Sequence, residues 1–469
     1  MTGDGGTAPD PAGAPGSSPS SSIPDRPLDL VIRGRALVDG VFRTAEIGVA
    51  GGVIVAIGPA ETAVPNAEAA ETVTLADDEV LLPGLVDTHV HVDEPGRTEW
   101  EGFASATAAA AAGGVTTLLD MPLNSIPATV SVEALETKRA AARDRCVVDV
   151  GFWGGAVPEN LGRLNELWDA GVFGFKCFLT PSGVDEFGHL DTAQLFSALE
   201  EIAGFDGLLI AHAEDPAVLD AHPYAGGRDF AGFAASRPPE AEVAAIEHVI
   251  EGVRRTGARA HIVHLASAAA LPALRAARAE GLPITAETCP HYLAFTGGDV
   301  PEGGTHFKCA PPIRDAANRD ALWQALLDGD LGMIVSDHSP STRELKFAGG
   351  GDFGLAWGGI AGLQLGLRAV WTEAAERGIG LERLVEWMSA GPARFAGLGD
   401  RGALALGRRA DLTVFAPDAR ATVHAEELAH RNKVSAYDGV ELRGAVRRTW
   451  VAGRAPSAEA ANLLVRPGT

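Results

Sequence analysis

The sequence is poor in cysteine and in basic residues, and it has no long apolar run. Only four of its 469 residues are cysteines, Cys146, Cys177, Cys289 and Cys309, and they form no Cys-x-x-Cys motif. We therefore expect reduced thiols in a cytoplasmic protein. Lys and Arg total 38 against 62 Asp and Glu, and the net charge of -24 argues against nucleic acid and membrane as partners. No stretch offers about 18 uninterrupted apolar residues, so no membrane span is predicted.

The hydrophobic content of 46% is enough for a large core, and the chain divides by composition. Residues 1–26 are rich in Gly, Pro, Ser and Ala and are predicted to be a disordered tail. Short β-rich runs occupy residues 27–80 and return in residues 399–456. Because each segment is too small for a core of its own, we expect the two to pair into one β-sandwich domain. Residues 457–469 are predicted to be a C-terminal tail.

Residues 81–398 alternate apolar strand candidates with Ala- and Leu-rich helix candidates. The eight strand cores are LPGLVDTHVHV, VTTLLDMP, VVDVGFWGG, VFGFKCFL, GLLIAHAED, AHIVHLAS, PITAETCPHYL and LGMIVSDHS. Continuous apolar strands separated by helices are typical of a parallel sheet that is covered on both faces. Eight such units predict an α/β fold, a (β/α)8 TIM barrel.

The first of these strands ends in two histidines one residue apart. Alternate side chains of a strand point to the same face, so His89 and His91 can bind one metal ion. A His-x-His pair also occurs by chance at a solvated strand end. Polar residues at the ends of other strands favour the metal-binding interpretation of this pair.

Catalytic side chains of such a barrel lie at the C-terminal ends of its strands. Six polar residues are predicted to meet there: His89, His91, Lys176, His212, His264 and Asp337. Each has a structural alternative, since Lys176 could be a surface charge, His212 and His264 core histidines, and Asp337 a helix cap. It would be a rare coincidence for all of them to reach the same end of the barrel.

Lys176 calls for a separate argument, because an ammonium group repels metal ions. It lies in the apolar run Phe173 to Leu179, where burial lowers the pKa of a lysine and frees its amine. A neutral amine can add CO₂ to form a carbamate, whose two oxygens can bridge two metals. Lys176 is therefore a candidate N6-carboxylysine.

The chain resembles the cyclic amidohydrolases, the family of the dihydroorotases and hydantoinases, and within it the allantoinase group most closely. The motifs that carry the resemblance are PGLVDTHVHVDEPGRTEWEGF, AAAAGGVTTLLDMPLNS, GFKCFLTPSGVDEF, AHAED, HIVHLAS, AETCPHYL, CAPPIRD, SDHSP and AWGGIAGLQ. They extend over about residues 28–454. The family's fold is a metal-dependent barrel with a small β-sandwich.

The resemblance implies two divalent ions, with zinc as the expected metal. His89, His91, carboxylated Lys176 and Asp337 would bind one ion, and Lys176, His212 and His264 the other. It implies attack of an activated water on the ring amide of allantoin, with Asp337 as the base, and a place in purine catabolism. It also implies a small-molecule substrate and a homotetramer.

Three positions argue against related activities. Dihydroorotases usually have Arg two residues after the second histidine and His four residues after the aspartate, where this chain has Asp93 and Ser341. By alternation, the Asp93 carboxylate should face the substrate and repel dihydroorotate. Hydantoinases and dihydropyrimidinases usually have Tyr where Pro181 stands. A hydantoinase-like activity remains the alternative, and a non-catalytic scaffold is disfavoured because all six ligands are present.

Substrate contacts are predicted at Asn124, Cys289, Ser339 and Asp93. The first three lie at strand ends, where hydrogen bonds to the N–H and C=O groups of a ureide are feasible. Each of those three could equally cap a helix or shape a turn. Asp93 stands where the allantoinase group commonly has Asn, and the neutral allantoin ring tolerates either residue.

Overall fold

The computed structural model describes residues 27–59, 63 and 69–469, so the predicted tail at residues 1–26 lies outside the described residues. The strands are β1 (Leu28–Val38), β2 (Val41–Ala50), β3 (Val53–Gly58), β4 (Ala69–Thr74), β5 (Val80–Pro83), β6 (Leu85–Val90), β7 (Val115–Asp120), β8 (Asp149–Phe152), β9 (Gly154–Gly155), β10 (Phe175–Phe178), β11 (Leu208–His212), β12 (Arg259–Ile262), β13 (Ile284–Thr288), β14 (Met333–Ile334), β15 (Leu412–Thr422) and β16 (Glu441–Trp450).

The helices are α1 (Phe103–Ala112), α2 (Val132–Ala142), α3 (Leu164–Asp169), α4 (Thr192–Ala203), α5 (Pro216–Asp220), α6 (Phe230–Ala235), α7 (Pro239–Thr256), α8 (Leu271–Ala279), α9 (Pro290–Ala294), α10 (Ala316–Asp328), α11 (Arg343–Lys346), α12 (Ala348–Gly351), α13 (Gly366–Glu376), α14 (Leu381–Val385) and α15 (Gly391–Phe395). Among the described helices, none is both long and apolar enough to cross a membrane.

Both terminal parts of the chain contribute to one seven-stranded sheet. β1 pairs with β2, β4 and β5, and β15 joins from the other end of the sequence by pairing antiparallel with β5, from Leu412 opposite Pro83 to Phe415 opposite Val80. The buried face combines residues from both parts, among them Leu30, Ile47 and Trp450. The two terminal segments therefore share one sheet.

The middle of the chain forms two parallel sheets whose strands follow chain order. One contains β6, β7 and β8, and the other runs from β9 to β14. Trp153 alone separates β8 from β9, and the amide of Phe173 donates to Phe152 O at 3.0 Å, which links the two sheets. On the other side, the amide of His91 donates to His338 O at 2.8 Å. All eight predicted strand cores contain strands, and their near-complete burial is what a sheet covered on both faces requires.

Amphipathic helices cover these sheets. α7 begins with Pro239, has Glu240 and Glu242 in its first turn, and is capped after Thr256 by Gly257, whose φ of 72° favours glycine. It buries an apolar stripe that includes Ile246 and Val249. Between the strands of the two sheets lie helices such as α1, α2, α4, α7, α8 and α10, as the alternation of strand and helix candidates predicts.

The C-terminal residues are docked rather than free. The amide of Leu464 donates to Val150 O at 2.7 Å, and the amide of Arg466 donates to Gly171 O at 3.0 Å. The predicted tail at residues 457–469 therefore packs against β8, a strand that lies more than 300 residues earlier in the sequence.

Candidate metal centre

The six predicted ligands lie at the C-terminal ends of five parallel strands. His89 is in β6 and His91 directly follows it; Lys176 is in β10, and His212 ends β11. His264 and Asp337 follow β12 and β14 by two and three residues. All six side chains are buried. The two parallel sheets, with their strand ends on one side, bring together residues that are almost 250 positions apart in sequence.

Two of these residues have strained backbones. His264 has a φ of 38° and Asp337 a φ of 45°, in the left-handed region that non-glycine residues rarely occupy. Such strain persists where the surrounding structure overdetermines it, most often at functional sites. The chain thus turns each side chain out of its strand direction and into the site.

A first group forms around the Asp337 carboxylate. Its Oδ1 lies 3.1 Å from His89 Nε2 and 3.6 Å from His91 Nε2. The potential ligand atoms of these three residues all lie within 4.8 Å of one another. Two imidazoles and a carboxylate at this spacing are a suitable donor set for a divalent metal such as zinc.

A second group contains His212 and His264. His212 Nδ1 lies 3.0 Å from His264 Nε2, and the two rings are nearly perpendicular. The ring centroids of His264 and His89 are 5.4 Å apart, so the two groups are adjacent. Lys176 Nζ lies 5.1 Å from the Phe178 ring, and that ring stacks on His212. The structure therefore brings all six residues into one cluster.

Carboxylates behind the cluster orient the histidine rings. His89 Nδ1 lies 2.6 Å from Glu287 Oε1, and the other oxygen of Glu287 is 3.0 Å from His261 Nε2. His212 Nε2 donates to Glu214 Oε2 at 2.8 Å, and Glu214 is paired with Arg237. A histidine that donates one ring N–H in this way presents its other nitrogen to a metal.

Burial and charge set the protonation of the cluster. Burial lowers the pKa of Lys176 to about 8, against the opposing pull of Asp337 and Glu287, which is the condition for a neutral amine. Burial alone would raise the pKa of Asp337, but His89 and His91 hold it well below its usual range. Asp337 is therefore ionised at neutral pH.

The cluster has open coordination positions. His264 Nδ1 is buried and has no hydrogen-bond partner, and the 3.1 Å contact of the buried His89 Nε2 with Asp337 Oδ1 is not a well-formed hydrogen bond, although buried polar atoms are normally paired. Unpaired imidazole nitrogens next to a carboxylate and a low-pKa lysine fit a metal centre better than a self-contained polar core. The residues present thus fit the divalent ions that the resemblance implies.

The cluster opens into a cavity of about 560 Å³. Its walls include His91, Lys176, His212, His264 and Asp337, together with the predicted contacts Asn124 and Ser339. This volume is within the usual range for a site that encloses a small molecule. Asn124 and Ser339 are therefore placed where they could contact a substrate.

The other two predicted contacts, Asp93 and Cys289, lie behind the wall of this cavity. Cys289 is fully buried, and Asp93 is 1% exposed with its Oδ1 accepting a hydrogen bond from Asn124 Nδ2 at 3.0 Å. The expected strand alternation fails at Asp93 because β6 ends at Val90 and Asp93 has a φ of 65°. Burial raises the pKa of Asp93 well above its usual range, so the expected charge repulsion of dihydroorotate loses its basis. Asp93 therefore affects the cavity indirectly, through its hydrogen bond with Asn124, which lines the cavity.

One wall of the cavity is a loop held by two lysines. Residues 353–359 line the cavity, and Lys346 Nζ, itself 3% exposed, donates to Trp357 O at 3.0 Å and to Gly359 O at 2.5 Å. Lys308 Nζ donates to Ala356 O at 2.5 Å. Trp357 packs edge to face on Trp100, with ring centroids 4.9 Å apart. Hydrogen bonds from the two lysine side chains therefore hold the backbone of this wall.

Sequence reasoning assigned no role to Glu287, Glu214, Lys308 or Lys346. Glu287 and Glu214 stood in quoted motifs, and a carboxylate inside an apolar strand was a signal that could have identified Glu287. Its histidine partner is 198 residues away, a contact that strand patterns do not reveal. The two lysines precede loops whose course only the structure shows.

Comparison with known proteins gives consistent matches over most of the chain. The model of the amidohydrolase family matches residues 80–455. An allantoinase from Streptomyces avermitilis is 54% identical over 427 residues, covering 91% of this chain and 95% of that protein. An allantoinase from Saccharomyces cerevisiae is 45% identical over 80% of this chain and 82% of its own length. The solved L-hydantoinase (dihydropyrimidinase) from Arthrobacter aurescens has a TM-score of 0.86 at 31% identity, covering 94% of this chain and 98% of that one.

Proposed function

The chain belongs to the amidohydrolase family, and from that premise we propose that it is a hydrolase that opens the hydantoin ring of allantoin to give allantoate. The observation that carries the proposal is the buried cluster of four histidines, a lysine and an aspartate at the base of the cavity. The similarity to allantoinases from bacteria and yeast favours allantoin among the cyclic amides. The reaction belongs to purine and ureide catabolism.

In this proposal His89, His91 and Asp337 would hold one divalent ion and His212 and His264 the other, with carboxylated Lys176 contributing to both. When bound, two such ions, with zinc as the expected metal, supply Lewis acidity toward the ring carbonyl and lower the pKa of water. Lys176 is suited to carboxylation because its pKa of about 8 leaves roughly a tenth of the amine neutral near pH 7, far more than in an ordinary lysine.

Asp337 moves the proton. Its carboxylate, kept ionised by His89 and His91, accepts a proton from the attacking water and delivers it to the ring nitrogen as the amide C–N bond breaks. Asn124 and Ser339, which line the cavity, would hold the ureide groups of the substrate. Asp93 acts on binding by fixing the Asn124 amide.

The architecture that serves this chemistry is proposed to be a (β/α)8 barrel of residues 81–398, with a β-sandwich made of residues 27–80 and 399–456. The hydrogen bonds that join the two parallel sheets at Phe173 and at His91 support closure of the barrel. The shared core of β1, β2, β15 and β16 supports a separate β domain. We also propose that the protein is a homotetramer and that it is located in the cytoplasm. The four buried, free thiols support that location.

The test is a panel of allantoin, hydantoin, dihydrouracil and dihydroorotate on the metal-loaded protein. We expect the highest kcat/KM for allantoin. A clear preference for dihydrouracil or 5-substituted hydantoins would instead assign the alternative, a hydantoinase-like activity, which the similarity to L-hydantoinase makes the natural second candidate. Absence of turnover with all four substrates would favour a scaffold.

A further inference from the structure

A second group of potential metal ligands lies behind the cavity wall. The Sγ of Cys289, a ring nitrogen of His291 and a carboxylate oxygen of Asp337 all lie within 4.8 Å of one another, and all three residues are buried. The metal centre proposed above uses neither Cys289 nor His291. The group differs from that centre in chemistry as well, since it contains a sulfur donor.

Local folding brings the three residues together. β13 ends at Thr288, Cys289 is the residue before α9, and His291 is in the first turn of that helix. Asp337 follows β14, the neighbour with which β13 pairs through Glu287 and Met333. The Cys289 thiol makes no capping hydrogen bond to α9. The C-terminal ends of two adjacent strands therefore present the three side chains to one another.

His291 provides an independent observation. Its Nε2 is buried and has no hydrogen-bond partner, and the residue is only 1% exposed. A buried imidazole nitrogen without a partner is costly unless it binds something.

The surrounding charge favours a cation. An Asp337 carboxylate oxygen is one of the three potential ligand atoms, and Glu287 stands two residues before Cys289 in the chain. The negative charge of these carboxylates attracts a cation, and a bound cation would stabilise a Cys289 thiolate.

We propose that Cys289, His291 and Asp337 form a further binding site for a thiophilic divalent cation such as Zn²⁺. A mixed sulfur, nitrogen and oxygen donor set is typical of zinc and its substitutes Co²⁺ and Cd²⁺. Binding breaks the S–H bond of Cys289, forms a metal–sulfur bond, and releases the proton to solvent. Because Asp337 also belongs to the proposed catalytic centre, occupancy should slow turnover; this consequence rests on the proposed function, whereas the site itself does not.

Titration of the metal-free protein with Co²⁺ tests the site without using activity. The proposed catalytic ligands contain no sulfur, so a sulfur-to-cobalt charge-transfer band in the near ultraviolet reports on Cys289 alone. We expect this band in the wild-type protein. The Cys289→Ser variant should lack the band and should bind one equivalent of Co²⁺ less than the wild type. The visible ligand-field bands of the histidine ligands should persist in that variant and show that it is folded.

Cys309→Ser is the matched control, because Cys309 is another buried thiol. It should keep the charge-transfer band. His291→Asn is a second variant, in which the band should need at least about tenfold more Co²⁺, since a ligand is lost. Absence of the band in the wild type, its survival in Cys289→Ser, or its loss in Cys309→Ser alone would each overturn the proposal.

Discussion

Lys176 is the residue on which the chemistry of the centre depends. It is 1% exposed and has a pKa of about 8 because it is buried, yet the nearest counter-charges, Asp337 and Glu287, are also needed by the histidines. Carboxylation would convert this incompletely paired buried cation into an anion, which is better suited to a site lined by histidines. The electrostatics of the cluster thus favour the modified lysine.

Lys176→Ala should lose both metals and nearly all turnover, because no other side chain of the cluster can bridge the two histidine groups. Metal content by atomic emission and kcat are the measurements. Short carboxylic acids added with metal should restore part of the activity by occupying the vacated space. Lys433→Ala is the control, since its Nζ donates to Leu428 O and Lys433 is not among the residues that line the cavity. Full metal content in Lys176→Ala would rule out the carboxylated lysine as a ligand.

Glu287 shows how one carboxylate can orient two histidines. Burial alone would raise its pKa, but hydrogen bonds with His261 and His89 lower the pKa to about 2, so the charge is retained at any working pH. Its Oε1 also accepts the backbone N–H of His264 at 3.3 Å. One residue therefore fixes parts of both histidine groups.

Glu287→Gln should weaken metal retention by about 10- to 100-fold, the usual cost of losing a carboxylate behind a metal-binding histidine. The amide presents an N–H₂ group to one of two ring nitrogens that need an acceptor. Competition with a chelator measures the effect. Glu280→Gln, which changes an exposed carboxylate paired with Arg254, should leave metal affinity unchanged. Equal affinities in the two variants would contradict the assigned role.

At the scale of elements, the alternation of apolar strands and helices was enough to predict the order of β6 to β14 and the ends where ligands lie. The spacing of apolar residues along a strand or helix is a local property of the chain, so the sequence reveals which elements form and which residues they bury. The direction of Asp93 was predicted incorrectly, because alternation holds only inside a strand and β6 ends before it. The lysine contacts to residues 356–359 were not predictable, since they depend on how loops after different strands pack.

The loop of residues 353–359 is such an element, and Lys346 is its main tether. In Lys346→Met the buried stem keeps a similar length, but the bonds to Trp357 O and Gly359 O are lost. We expect KM to rise roughly tenfold, equivalent to about 1.4 kcal/mol and comparable to one hydrogen bond, with metal content unchanged. Arg343→Met, an exposed cation on the same helix α11, is the control. An unchanged KM in Lys346→Met would show that the loop does not depend on this tether.

At the scale of the whole molecule, the two ends of the parallel strands have different roles. The C-terminal ends carry strained and unpaired groups and the candidate metal ligands, whereas the start of β8 carries a saturated ionic cluster. There the buried Asp149 accepts hydrogen bonds from Arg401 at 2.9 Å, from Arg409 at 3.1 Å and from the amide of Asn462 at 2.8 Å. Asp149 thus connects the sheet that supports the site to the C-terminal segment.

Asp149→Asn should therefore reduce stability and leave catalysis intact. Removing one partner of a buried ion pair typically costs about 3 to 5 kcal/mol, and we expect the lower end, because Arg401 keeps Asp400 and Arg409 keeps Asp411. The free energy of unfolding in urea measures the loss, and kcat/KM of the folded protein should match the wild type. Asp400→Asn removes the other, 54% exposed partner of Arg401 and should cost less than about 1 kcal/mol. Equal losses in the free energy of unfolding of the two variants would mean that burial of Asp149 does not strengthen its ion pairs. A fall in kcat/KM of Asp149→Asn would mean that the two ends of the strands are not independent.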